Sequence, residues 1–212
     1  MGEGKNMTSE MMNLFAVPVY KCGIGRDFTE AEIQFFREEL HDAVTTLGNS
    51  ASRNKNVLAA DAMSAIRAAL EENLSNYFKI VYNTANNVQL KITQSWLSLS
   101  RKGEAHHTHS HPNSVVSGVL YISLASQDGI NFYRNEDLLW YELIPAEQNY
   151  YNAYRYFIET KVGDLVLFPS NLKHGVKEVT EDVERLSLAF NTFFDGELGH
   201  KEFSNALSIR TD

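Results

Sequence analysis

Apolar residues recur at helical spacing in two early stretches of the chain and at alternate positions through most of the remainder. Ile33, Phe36, Leu40 and Val44 form the first helical series. It opens at Thr29-Glu30-Ala31-Glu32, where Glu32 can close a capping box on Thr29, and stops at Gly48-Asn49-Ser50. Met63, Ile66, Leu70, Leu74, Tyr77 and Phe78 form the second, with Asp61 as its expected cap and Asn54 to Asn56 as a loop before it. A stripe at this spacing reads as core packing and receives no functional role. From Val88 to Leu99 the period is two, which predicts a strand. Val115 to Leu124 is apolar on both faces and reads as a central strand. Ile130–Tyr133, Leu165–Phe168, Gly175–Val179 and Arg185–Phe194 complete the strand series. Before the helices, Asn13 to Lys21 reads as a short strand interrupted by Pro18, hence an edge strand.

Two helices followed by about seven or eight strands predict an α+β fold: a jelly-roll (double-stranded β-helix, cupin-like) core with the N-terminal helices packed on one sheet. A single domain spanning 1–212 is expected, with 1–12 flexible, 13–85 carrying the N-terminal strand and helices, and 86–196 forming the jelly-roll core. Residues 134–157 are polar and rich in aromatics, including Trp140, Tyr141, Tyr150, Tyr151, Tyr154, Tyr156 and Phe157. Such a segment is too long for a hairpin loop and reads as a substrate lid or as an apolar flap.

Composition narrows the function classes. The chain of 212 residues carries a formal charge of −8, which argues against bulk nucleic-acid binding. The single cysteine, Cys22, excludes an internal disulfide and fits a reducing compartment. No apolar run approaches the roughly 20 residues of a membrane span, and the start of the chain lacks the apolar core of a signal peptide. A cytoplasmic location is therefore expected (the host cytoplasm if the chain is phage-encoded), with no membrane partner; the sequence leaves the oligomeric state open, a homodimer included.

The candidate chemistry is concentrated. Four of the seven histidines, His106, His107, His109 and His111, fall within nine residues, just before the central strand that starts at Val115. Alternation would let His107, His109 and His111 face one side, and neutral imidazole is the commonest metal ligand. A further ligand is needed from elsewhere, and His174, which follows the Leu165–Phe168 strand, is the best candidate. Imidazoles converging at strand ends with open coordination positions suit Fe(II), Mn(II) or Zn(II). Arg185 follows His174 by eleven residues. If the two strands are paired through a short turn, Arg185 returns beside His174 and offers a carboxylate a bidentate fork. Ser187, two residues on, faces the same way and adds a hydroxyl.

A metal beside an arginine–serine carboxylate clamp describes a 2-oxoglutarate site. The chain resembles the Fe(II)- and 2-oxoglutarate-dependent dioxygenases, and within them a prolyl-hydroxylase-like subgroup of small microbial and phage proteins. The resemblance rests on an ordered set of short motifs: Leu14-Phe15-Ala16-Val17-Pro18-Val19-Tyr20, Ser95-Trp96-Leu97, His109-Ser110-His111-Pro112-Asn113-Ser114, Ser117-Gly118-Val119-Leu120-Tyr121, Gly163 to Ser170, His174, and Arg185 to Asn191. It implies Fe(II), 2-oxoglutarate and O2, with ascorbate as reductant, and a small-molecule or peptide substrate hydroxylated with release of succinate and CO2. It also implies His109 as the first metal ligand, His174 as the distal one, and Arg185 with Ser187 and Tyr121 as the hold on the far carboxylate of 2-oxoglutarate. Asn113, Trp96 and Asn191 are candidates for substrate contact or support. In the wider family the position of His111 carries a carboxylate. Here it is a third imidazole ligand, or the site has two protein ligands, or a shifted pair places the Asn113 amide there; the set His109, His111 and His174 is preferred.

Blander assignments compete for the same residues. His106 and His107 are expected in an exposed loop, and Arg185 has surface partners available in Asp182 and Glu184. The alternative functions are a cupin-like metal enzyme that does not use 2-oxoglutarate, and a non-catalytic metal- or ligand-binding module.

Overall fold

The computed structural model describes residues 9–134 and 143–211. In chain order its elements are β1 (Tyr20–Gly23), α1 (Glu30–Glu39), β2 (Val44–Thr45), β3 (Ser50–Ala51), α2 (Ser64–Val81), β4 (Val88–Ser100), β5 (His106–His109), β6 (Val116–Ser123), β7 (Gly129–Tyr133), β8 (Arg155–Glu159), β9 (Asp164–Pro169), β10 (His174–Val176), β11 (Arg185–Leu198) and β12 (Leu207–Ile209). They form two sheets. The larger runs β1-β9-β6-β11-β4-β3-β2, with β12 added to β11, and the smaller runs β5-β10-β7-β8. All the ladders within the two sheets are antiparallel.

The double apolar character of β6 and β9 follows from this layering. Leu120, Leu165 and Leu167 point from the large sheet to α2, whose Ile66, Leu70, Leu74 and Tyr77 are buried there. Tyr121, Val166 and Phe168 point the other way, toward Ile130 and Phe132 of the small sheet. Period-two alternation thus feeds two cores from one sheet. Each fully buried side chain of the α2 stripe contributes about 1.5–3 kcal/mol. The site lies in the second core, between the sheets.

The capping box on α1 forms as predicted, with the Glu32 amide donating to Thr29 and the Thr29 amide to Glu32. Several boundaries differ. Helix α1 ends at Glu39 rather than continuing through Val44, because Val44 pairs with Ala51 in a tight hairpin whose turn uses Gly48 at φ 105°. Asp61 does not cap α2: it opens a 3-10 turn, Asp61–Met63, and the cap position falls on Met63 without a side-chain bond. Strand β1 starts after Pro18 and is an edge strand, as a proline at its entrance requires. Trp140 and Tyr141 of the aromatic segment lie outside the described residues, and Arg155, Tyr156 and Phe157 belong to β8. Finally, β10 and β11 are not a hairpin pair; they belong to different sheets, so His174 and Arg185 line one cavity from facing sheets rather than along a ladder.

Candidate functional site

Strand pairing aligns the histidines. His174 of β10 stands opposite His109 of β5 on one side and Phe132 of β7 on the other. His111 lies just past the end of β5, where its amide donates to the Ser170 carbonyl at the exit of β9. That loop is pinned by hydroxyls: Ser170 Oγ lies 2.7 Å from Ser114 Oγ and 2.8 Å from Ser117 Oγ, and Ser117 donates to Asn191 Oδ1 at 2.9 Å. Much of the motif His109-to-Ser117 therefore serves to fix His111. Asn191 acts in that lattice and Asn113, exposed at φ 55°, makes the turn; neither lines the cavity. Trp96 does line it, with its ring centroid 5.8 Å from that of His111.

The ligand atoms of His109, His111 and His174 lie within 4.8 Å of one another. His109 Nδ1 donates to the His107 carbonyl at 2.8 Å and His174 Nδ1 to the Leu172 carbonyl at 2.9 Å, which assigns their lone pairs to Nε2. His111 Nε2 is 3.2 Å from His174 Nε2. Two nitrogens each about 2.1 Å from a shared ion are separated by roughly that distance at an angle of roughly 100°. Burial holds the rings neutral: it is the largest cause lowering the pKa of His174 to about 3 and His111 to about 4, and it lowers His109 as well.

The facing wall comes from the large sheet. Tyr121 of β6 and Arg185 and Ser187 of β11 line the same cavity as the three histidines. Arg185 is 3 % exposed, and its partner is neither Asp182 nor Glu184 but the buried Asp128, which sits in the turn before β7. Arg185 Nε donates to both carboxylate oxygens, at 3.1 and 2.8 Å, and the amides of Ala125 and Gly129 hold the carboxylate in turn. The other side of the guanidinium is open: Nη2 is buried with no hydrogen-bond partner, and so is the Tyr121 hydroxyl. The guanidinium lies 5.6 Å from the Tyr121 ring centroid, and burial raises the Tyr121 pKa, so that hydroxyl is a donor. Two unpartnered donors in one buried place fit a carboxylate, since an orphaned buried donor costs about 1–3 kcal/mol until something accepts from it.

Sequence alone does not place two residues of this site. His106 lines the cavity, its ring stacked on His109 at 4.6 Å, whereas His107 is exposed. Simple alternation assigns His106 to the opposite face; a register shift between His174 and Val176, opposite β5, breaks that parity. Asp128 reads from sequence as an ordinary turn residue before Gly129, and only its pairing with Arg185, 57 positions away, reveals its inward role.

A family model described as "Putative 2OG-Fe(II) oxygenase" matches residues 94–191, a span that begins in β4 and ends within β11. No curated protein sequence matches the chain. Among solved structures, HygX from Streptomyces hygroscopicus with nickel and 2-oxoglutarate bound aligns at TM-score 0.55 and 15 % identity, over 92 % of this chain and 93 % of that one. The epimerase SnoN from nogalamycin biosynthesis aligns at TM-score 0.59 and 12 % identity, over 92 % and 89 %. A Pseudomonas putida prolyl-4-hydroxylase aligns at TM-score 0.53 and 16 % identity, over 84 % and 94 %. These likenesses are likenesses of fold, and the family match covers the part of the core, residues 94–191, that carries His109, His111 and His174.

Proposed function

We propose that the chain is an Fe(II)- and 2-oxoglutarate-dependent hydroxylase acting on a small molecule or a peptide side chain. The observation that carries this reading is the pairing, within one cavity, of a three-imidazole cluster on the small sheet with unpartnered donors on the large one. His109, His111 and His174 would hold the metal. Arg185 through Nη2, the Tyr121 hydroxyl and Ser187 would hold the far carboxylate of 2-oxoglutarate. When bound, metal and keto acid supply the oxidising chemistry: one atom of O2 enters the substrate, the other enters succinate, and CO2 leaves. The protein's own share is geometric. Backbone acceptors fix two imidazoles, the hydroxyl lattice fixes the third, and Asp128 fixes the arginine, so no donor has to be reorganised during turnover.

The test is release of succinate from 2-oxoglutarate with Fe(II), ascorbate and O2, together with thermal stabilisation by N-oxalylglycine. Turnover and stabilisation support the reading; absence of both sinks it. The Arg185–Asp128 pair favours a second reading, a metal enzyme of the same fold without 2-oxoglutarate, since the arginine already has one counter-charge. Metal binding without any response to N-oxalylglycine would select that alternative.

A further inference from the structure

A second cavity of about 850 Å³ opens beside the triad. Its wall includes Phe132 and Leu172, the residues that abut His174: Phe132 is its strand partner, and the Leu172 carbonyl accepts from its Nδ1. Tyr150, Tyr151, Tyr154 and Tyr156 form the outer part of the wall, each 44–69 % exposed. Exposed aromatic area on this scale marks a recognition surface rather than packing. The volume is that of a site for a drug-sized ligand rather than for a long macromolecular segment.

The charge of this groove runs against that of the molecule. Acidic residues outnumber basic ones 27 to 19 over the chain. The described residues lining the groove nevertheless include Arg134 and Arg155 and no aspartate or glutamate. Neither arginine makes an ion pair with a described residue, and Arg155 stacks over Tyr154 with its guanidinium 5.8 Å from the ring centroid. Guanidinium groups recognise carboxylate, phosphate or sulfonate in a planar fork, and tyrosine faces recognise ring systems.

We infer that this groove is a binding site for an anionic, ring-bearing small molecule, held by Arg134 and Arg155 at its charge and by the tyrosines along its body. This names a substrate class for the cavity beside it; the link to turnover rests on the reading of that cavity as an oxygenase site, whereas binding itself does not.

The test uses two fluorescent probes of similar shape, the anionic 1-anilinonaphthalene-8-sulfonate and the neutral N-phenyl-1-naphthylamine, titrated into the full chain. Saturable binding of the anionic probe is expected. Combined Arg134→Gln and Arg155→Gln should weaken it about tenfold or more, the worth of a charge-assisted bond, and leave the neutral probe within about twofold. Combined Tyr154→Ser and Tyr156→Ser should weaken both probes. His174→Ala should leave the anionic probe bound, which separates this result from any failure to release succinate. Absence of saturable binding to the unaltered chain, or equal affinity of the anionic probe for the chain and its arginine variant, would overturn the assignment.

Discussion

The two ends of the central cavity are both buried, yet they are built on opposite principles. At the histidine end, two rings already spend one nitrogen on a backbone carbonyl and keep the other free, and burial keeps the rings neutral. Desolvation here prepares ligands, because a metal binds the uncharged form. At the arginine end a full charge is buried against another full charge, and the donors left over have no acceptor. Desolvation there is a penalty that an incoming anion relieves. One end is poised by removing charge, the other by leaving donors without an acceptor.

The strongest way to break this comparison is at the histidine end. His174→Ala and His109→Ala should each lower Fe(II) affinity by well over a hundredfold in equilibrium dialysis, while His106→Ala retains the metal. His111→Ala decides the ligand count: a loss comparable to that of His109→Ala makes it a third ligand, and near-native affinity makes the site a two-ligand one. At the other end, Arg185→Ala should weaken N-oxalylglycine binding about a hundredfold, within the range measured for truncating one member of a buried charge pair. It should also destabilise the fold by about 3–5 kcal/mol, because Asp128 is left buried without a counter-charge. Replacing the pair together, Arg185→Met with Asp128→Leu, should recover most of that stability by denaturant unfolding and none of the ligand affinity. Recovery of both would reduce Arg185 to a structural residue.

A pH titration contrasts the ends more gently. In metal-free protein the unfolded chain protonates its histidines near 6.5, whereas folded His106 and His174 resist protonation to about 3 and His111 to about 4. Stability from these rings is complete above pH 6.5 and is lost progressively as pH falls from 6.5 toward 3. A fall in melting temperature of roughly 10 °C between pH 7 and pH 5 is expected by calorimetry, with a smaller fall in His106→Phe, which removes one such ring. The smallest effect lies far from the site: Thr29→Ala should remove about 1 kcal/mol through the lost cap alone.

Much of this is legible in the chain because the governing interactions repeat along it. Periodicity predicts the core faces of α2, β4, β6 and β11, and the capping box predicts the start of α1, since each depends on residues a few positions apart. The triad is legible as clustered imidazoles with one remote partner. The remainder depends on contacts that have no local spacing. Asp128 acquires its role from a residue 57 positions away, and His106 enters the cavity through a register shift that lies partly on another strand. Even the placing of Arg185 with His174 rests, on the sequence alone, on a hairpin that does not exist; the two line one cavity because the sheets face each other.

The buried Asp128 also bears on electroneutrality. In the wider pattern a carboxylate ligand and an arginine contribute opposite charges, and a divalent ion cancels dianionic 2-oxoglutarate. If His111 is the third ligand, as proposed, it removes the negative charge from the metal end, Asp128 returns one at the arginine end, and a cavity filled by a divalent ion and 2-oxoglutarate would again carry no net charge. Its distribution has changed. On that assignment the positive potential would be concentrated at the imidazoles, and the far carboxylate would meet an ion pair rather than a bare cation. Recognition of that carboxylate would then depend on the direction of two donors more than on Coulomb attraction, and its affinity should vary little with salt.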